Sequence, residues 1–186
     1  MIMERTAIDG AYVLRPVPHV DERGSFARTF CAETFLEYGL DHRVAQCSIS
    51  TNRRRGTLRG LHLQRAPFGE TKVVRCMRGA IYDVMLDLRE TSRTFGRWVA
   101  VVLNEENGAM VYIPEGVAHG FQTLVDETSV AYSMSTPYAP AHQVGVRFDD
   151  PRFRVTWPVN GPILSARDAA FPPFDASNQN QNGRAA

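Results

Sequence analysis

Lysine is nearly missing from this chain: of its 21 basic residues, all but Lys72 are arginine. A codon bias toward arginine explains the many but not the one. A guanidinium cannot stand in for a compact ammonium whose pKa can be tuned, so Lys72 is a candidate functional residue. Cysteine is scarce too. Cys31, Cys47 and Cys76 are odd in number and lack CxxC spacing, which argues against a zinc site and suits a reducing cytoplasm. Neither charge is in excess. With 20 acidic residues the net charge is +1, so the chain exerts no general pull on nucleic acid or an anionic membrane. Its apolar stretches are short and broken by charges, and none is expected to span a bilayer. The opening Met1-Ile2-Met3-Glu4-Arg5 does not read as a secretory leader. A cytoplasmic protein with no nucleic-acid and no membrane partner is expected.

What remains is an ordinary globular composition, 44% hydrophobic and 22% charged over 186 residues, enough for one core without disulfide staples. We expect one domain over residues 1–175 and a disordered tail over 176–186, where apolar side chains able to pack are lacking. Short strand-like segments recur at 12–17, 44–50, 72–77, 80–88, 98–103, 110–113 and 129–134. Glycine-containing breaks at Gly79, Gly96, Gly108 and Gly116 separate several of them. Within 80–88, Ile81, Asp83 and Met85 alternate with Tyr82, Val84 and Leu86. Helical pattern is confined to 32–38, ended by Gly39, and a turn near Asp168. The pattern predicts an all-β sandwich or barrel with a few short peripheral helices.

Two segments carry more internal structure. Gly56 is followed after five residues by His62-Leu63-Gln64, then by Glu70 and Gly79. Gly108 is followed after five residues by Pro114-Glu115-Gly116, then by His119. These resemble the two cupin motifs, which implies a cupin-type double-stranded β-helix, or jelly-roll barrel. The second motif is complete, whereas the first has Gln64 where a second histidine belongs. A cupin metal needs about three His and one carboxylate, so no metal and no cofactor are expected.

A longer series falls in one order: Arg59-Gly60-Leu61-His62-Leu63-Gln64, Lys72-Val73-Val74-Arg75, Asp83-Val84 with Asp87-Leu88-Arg89, Ile113 through Phe121, Asp149-Asp150-Pro151 and Leu164-Ser165-Ala166-Arg167-Asp168. From Asp21 to about Asp168 the chain resembles the dTDP-4-dehydrorhamnose 3,5-epimerase family of nucleotide-sugar epimerases. The resemblance implies a metal-free proton shuttle on a nucleotide-linked 4-keto-6-deoxy sugar, whose carbonyl acidifies the hydrogens on neighbouring carbons. Inversion then needs a base on one face, an acid on the other and a positive group for the enolate oxygen. By resemblance His62 is the base, Asp168 its orienting partner, Lys72 the group facing the carbonyl oxygen and Tyr132 the proton donor. Arg23 and Arg59 resemble pyrophosphate ligands, for which a planar fork is suited. Phe26 and Tyr138 resemble aromatics around the base, His119 a ligand near phosphate or sugar, and Arg167 a basic binding position. Arg28, Gln46 and Gln143 are counted with the substrate site as departures. The family commonly has Glu in place of Arg28 and of Gln143, an Asn-containing stretch at 46–48, and an aromatic in place of Leu63. The resemblance also implies a homodimer that exchanges the strand 23–28 to complete its neighbour's site.

These departures leave the base, the sugar and the number of inverted carbons open. The alternatives are a single-carbon epimerase on another nucleotide sugar and a nucleotide-sugar-binding cupin without catalysis. A metal-dependent cupin dioxygenase comes third, weakened by Gln64. Arg59 and His62 lie an odd number of positions apart, so a regular strand puts them on opposite faces. If both reach one pocket, Gly60 marks a bulge or bend.

Overall fold

A computed structural model describes residues 1–174; the tail expected over 176–186 lies outside them. The chain runs β1 (Ile2–Arg5), β2 (Tyr12–Arg15), β3 (His19–Asp21), β4 (Gly24–Phe26), α1 (Ala32–Glu37), β5 (Gln46–Asn52), β6 (Leu58–Gln64) and β7 (Lys72–Arg78). It continues through β8 (Ala80–Asp87), β9 (Trp98–Asn104), β10 (Met110–Ile113), β11 (Val117–Thr123), β12 (Thr128–Met134), β13 (Gln143–Gly145) and α2 (Ala166–Ala169). One sheet has the order β1-β2-β10-β7-β12-β5 and the other β13-β6-β11-β8-β9. Neighbours in both are antiparallel, and the non-sequential strand order is that of a cupin-type jelly roll.

The alternation along β8 sets the layers. Ile81 and Met85 enter a core with Val74, Cys76, Val111 and Val130 of the facing sheet. Val84 and Leu86, on the opposite side of the same strand, pack with Leu61, Leu63, Val146 and Phe153. A third cluster, including Leu14, Phe35, Met110 and Tyr112, seats α1 on the outside of the first sheet. Each such side chain taken from exposure to full burial contributes about 1.5–3 kcal/mol. α1 ends where expected: Gly39 takes φ +66°, a left-handed turn that lacks a penalty only for glycine.

Some boundaries differ from the expected ones. The strand expected over 12–17 stops at Arg15, because Pro16 has no N–H to offer the ladder. The strand expected over 44–50 starts at Gln46 and runs on to Asn52, paired with Thr128 on β12. The β3–β4 hairpin, not foreseen as such, pairs with neither main sheet among the described residues and leaves Val20 and Phe26 each 76% exposed. No helix among the described residues is long and apolar enough to cross a membrane.

Candidate active site

β6 organises the site. Leu61 and Leu63 point into the outer cluster, so His62 and Gln64 face the space between the sheets. A regular strand would turn Arg59 the other way. Instead, His119 on β11 pairs with His62 while Phe121 pairs with Arg59, which sets Gly60 and Leu61 of β6 against the single Gly120 of β11, a bulge. Gly60 occupies it at φ +117°. A Cβ there would fall 2.6 Å from the Gly120 Cα and 2.7 Å from the His119 carbonyl oxygen, so only glycine fits. The bulge that the odd spacing required is thus present, and it turns Arg59 to the side of His62.

Arg59 and His62 line one cavity of about 400 Å³ together with Lys72, His119, Tyr132, Tyr138, Gln143, Arg167 and Asp168. Four residues singled out from the sequence lie outside it. Arg23 forms an ion pair with Asp21 at 2.6 Å on the exposed hairpin, where Phe26 also lies. The Arg28 guanidinium sits 3.8 Å from Cys31 Sγ. Gln46 reaches only the rim, where its Oε1 accepts from the Tyr138 N–H at 2.5 Å.

Asp168 is delivered by α2. Ser165 caps that turn by accepting from the Asp168 N–H at 3.1 Å, and the aspartate is buried at 4% exposure. His62 Nε2 lies 2.7 Å from Asp168 Oδ1, and the Gly60 N–H donates to Oδ2 at 3.4 Å. Burial alone would raise this carboxyl, but the hydrogen bond and charge of His62, the Gly60 N–H and Ser165 outweigh it and hold it below the usual carboxylate range. When the ring is neutral, an anionic Asp168 draws its one proton to Nε2. Nδ1 is left as the basic nitrogen of the neutral imidazole.

Tyr132 comes from β12 on the facing sheet and meets the His119 ring edge-on, centroids 6.0 Å apart. Burial pushes its phenol up, helped by the Asp83 charge and opposed by Arg59; such a group keeps its proton at neutral pH. His119 Nε2 pairs with Asp83 Oδ2 at 2.7 Å, both side chains buried, so a second histidine–carboxylate pair lies beside the first. Lys72, at the start of β7, pairs with Glu70 at 3.0 Å. Neither Asp83 nor Glu70 is assigned a role from the sequence. The signals for Asp83 were its place in the series that carries the resemblance and its position with Ile81 and Met85 on the core-facing side of β8.

Gln64 has its own occupation. Its Nε2 donates to the Phe68 and Pro137 carbonyls at 3.0 and 3.2 Å, and its Oε1 accepts from the Ala139 N–H at 2.6 Å. The amide at the cupin histidine position therefore ties two loops together. It also seats Tyr138, whose hydroxyl donates to Gln143 Oε1 at 2.9 Å.

Known proteins are similar to this chain in sequence and in architecture. The family model described as dTDP-4-dehydrorhamnose 3,5-epimerase matches residues 5–176. The dTDP-4-dehydrorhamnose 3,5-epimerase of Methanothermobacter thermautotrophicus is 43% identical over 174 residues, spanning 91% of this chain and 92% of that protein. Among solved structures, the Mycobacterium tuberculosis rmlC epimerase superposes with a TM-score of 0.92 at 37% identity, covering 96% of this chain and 92% of that one. ChmJ, a 3'-monoepimerase from Streptomyces bikiniensis in complex with dTDP-quinovose, superposes with a TM-score of 0.86 at 38% identity, covering 92% and 87%.

Proposed function

The chain belongs to the dTDP-4-dehydrorhamnose 3,5-epimerase family, and on that premise we propose how its residues carry the chemistry. It is an isomerase that inverts one or both carbons flanking the ketone of a nucleotide-linked 4-keto-6-deoxy sugar. The nucleotide is dTDP, and the protons move without a metal. The observation that carries the reading is the 2.7 Å pair of His62 and Asp168 in one cavity with Lys72 and a Tyr132 whose phenol stays protonated.

His62 Nδ1 removes the proton from the carbon beside the ketone. The electron pair moves into the carbonyl to form an enolate, and Asp168 stabilises the imidazolium. The Lys72 ammonium meets the charge growing on the enolate oxygen. Tyr132 returns a proton to the opposite face, which inverts the carbon. Its high pKa suits this step, since the acid must hold its proton until a carbanion-like carbon is presented. Arg59 holds the pyrophosphate, with Arg167 as a further basic binding position and His119 near phosphate or sugar, and Tyr138, set by Gln46 and Gln143, covers the base.

The protein acts in the cytoplasm as a homodimer. The hairpin that carries Arg23 and Phe26 has no partner sheet of its own among the described residues, and its exposed Val20 and Phe26 suit an exchange that brings Arg23, Phe26 and Arg28 to the neighbour's cavity.

The test is turnover of a dTDP-linked 4-keto-6-deoxy sugar in deuterium oxide, where the carbons that gain deuterium report how many are inverted. His62→Ala abolishes both inversion and exchange. Tyr132→Phe loses most inversion but keeps exchange, because His62 still removes a proton and returns a solvent-derived one to the same face. A Tyr132→Phe enzyme that inverts at the normal rate refutes the assignment of the donor.

A further inference from the structure

We propose that Glu70 is a positioning residue that holds the Lys72 ammonium at the place where the enolate oxygen forms. The proposal rests on the reading of Lys72 given above. Lysine is a point charge on a flexible four-carbon stem, and a stabilising group must be pre-placed to act without reorganisation when the reaction occurs. Among the described residues, two polar contacts fix Lys72 Nζ: the His62 carbonyl oxygen, at a long 3.5 Å, and Glu70 Oε1 at 3.0 Å. Only the second is short. Both side chains are about nine-tenths buried, at 12% exposure for Lys72 and 10% for Glu70, and both line the cavity.

The segment that presents Glu70 is itself fastened. Thr136 Oγ1 donates to the Gly69 carbonyl at 2.7 Å, and Gln64 holds the Phe68 carbonyl. The Glu115 side chain packs so tightly over Gly69 that a Cβ there would overlap its carboxylate. The chain of support runs from Gln64 and Thr136 through this turn to Glu70 and so to Lys72. A carboxylate standing at the motif position that in a metal-holding cupin supplies a ligand here grips an ammonium instead. The pairing weakens the field that Lys72 exerts on the enolate, and in return it confines the charge to one place.

Because Lys72 is the only lysine, protein labelled with ¹³C at lysine Cε gives a single ε-methylene signal. In the wild type its two protons should resolve, as in a fixed side chain. In Glu70→Ala they should merge, and turnover should fall by about 10- to 100-fold with KM little changed, as for loss of alignment of one electrostatic contact. Glu70→Gln, which keeps the shape and an acceptor, should fall between the two and guards against a folding artefact in the alanine variant. Normal or faster turnover in Glu70→Ala overturns the proposal. So does lost turnover with the lysine signal unchanged. Lys72→Ala separates this from the parent reading: full activity in that variant removes Lys72 from the mechanism, whatever Glu70 does.

Discussion

Asp168→Asn is the sharpest perturbation of the proposed proton shuttle, because it keeps the shape of the side chain and changes only what its two oxygens can accept. The His62 Nε2–H faces Oδ1 at 2.7 Å and the Gly60 N–H faces Oδ2 at 3.4 Å. Two donors thus converge on two acceptors at a site that is 4% exposed. Asparagine offers one oxygen and one NH₂ group. If the oxygen stays with His62, the NH₂ faces the Gly60 N–H, and the anion that stabilises the imidazolium is gone. Loss of a charge-assisted hydrogen bond of about 1.5–3 kcal/mol corresponds to roughly 10- to 150-fold in rate. If the NH₂ turns to His62 instead, Nε2 must accept and the ring proton moves to Nδ1, the atom that should take the substrate proton. A tautomer trapped in this way costs up to about 10⁴-fold. The expected fall in kcat is therefore about 10- to 10⁴-fold, with KM little altered because the proposed role of Asp168 is to orient His62 and not to hold the nucleotide. Solvent deuterium exchange should fall in parallel with inversion, since both depend on proton removal by His62. Turnover within about threefold of the wild type would refute the argument, because it would mean that neither the charge nor the tautomer matters.

Gly60→Ala should cost more than an ordinary glycine replacement. Its Cβ meets backbone at 2.6 and 2.7 Å, and φ is +117°. The strain and overpacking together reach about 2–5 kcal/mol, measurable by denaturant unfolding, and a folded variant should lose activity as Arg59 and His62 fall out of alignment. Acid should weaken the fold through Asp87, whose side chain is fully buried. Burial acts to raise its pKa, but hydrogen bonds from Arg89, Ser92 and Thr94 outweigh it and set it at about 2 against an ordinary 3.8. A depressed pKa makes this stabilisation complete above about pH 4 and lost as pH falls toward 2. Across that window the wild type should lose about 2 kcal/mol more than Asp87→Asn in unfolding free energy; parallel pH profiles would contradict it.

Much of this protein was legible in its sequence. Alternation is a local property, and the opposition of Ile81 and Met85 to Val84 and Leu86 foretold the two clusters that β8 separates. The cupin motifs foretold the jelly roll. The odd spacing of Arg59 and His62 foretold an irregularity at Gly60, because side-chain parity along a strand leaves no other way to bring both to one side. Other features were not legible. His62 and Asp168 are 106 positions apart, and the resemblance, not any periodicity, put them together. Asp83 stood in the series that carries the resemblance but with no role and no sign of its partner His119, and Glu70 carried no role beyond its place in a motif. Nor did Gln64 reveal that its amide fastens two loops. Spacing along the chain reports which face a side chain takes, and no more. Which faces then share a cavity depends on strand order, on a bulge that shifts register by one residue, and on loops tied by buried hydrogen bonds, all of them pairings between distant segments that exist only once the two sheets have closed on one another.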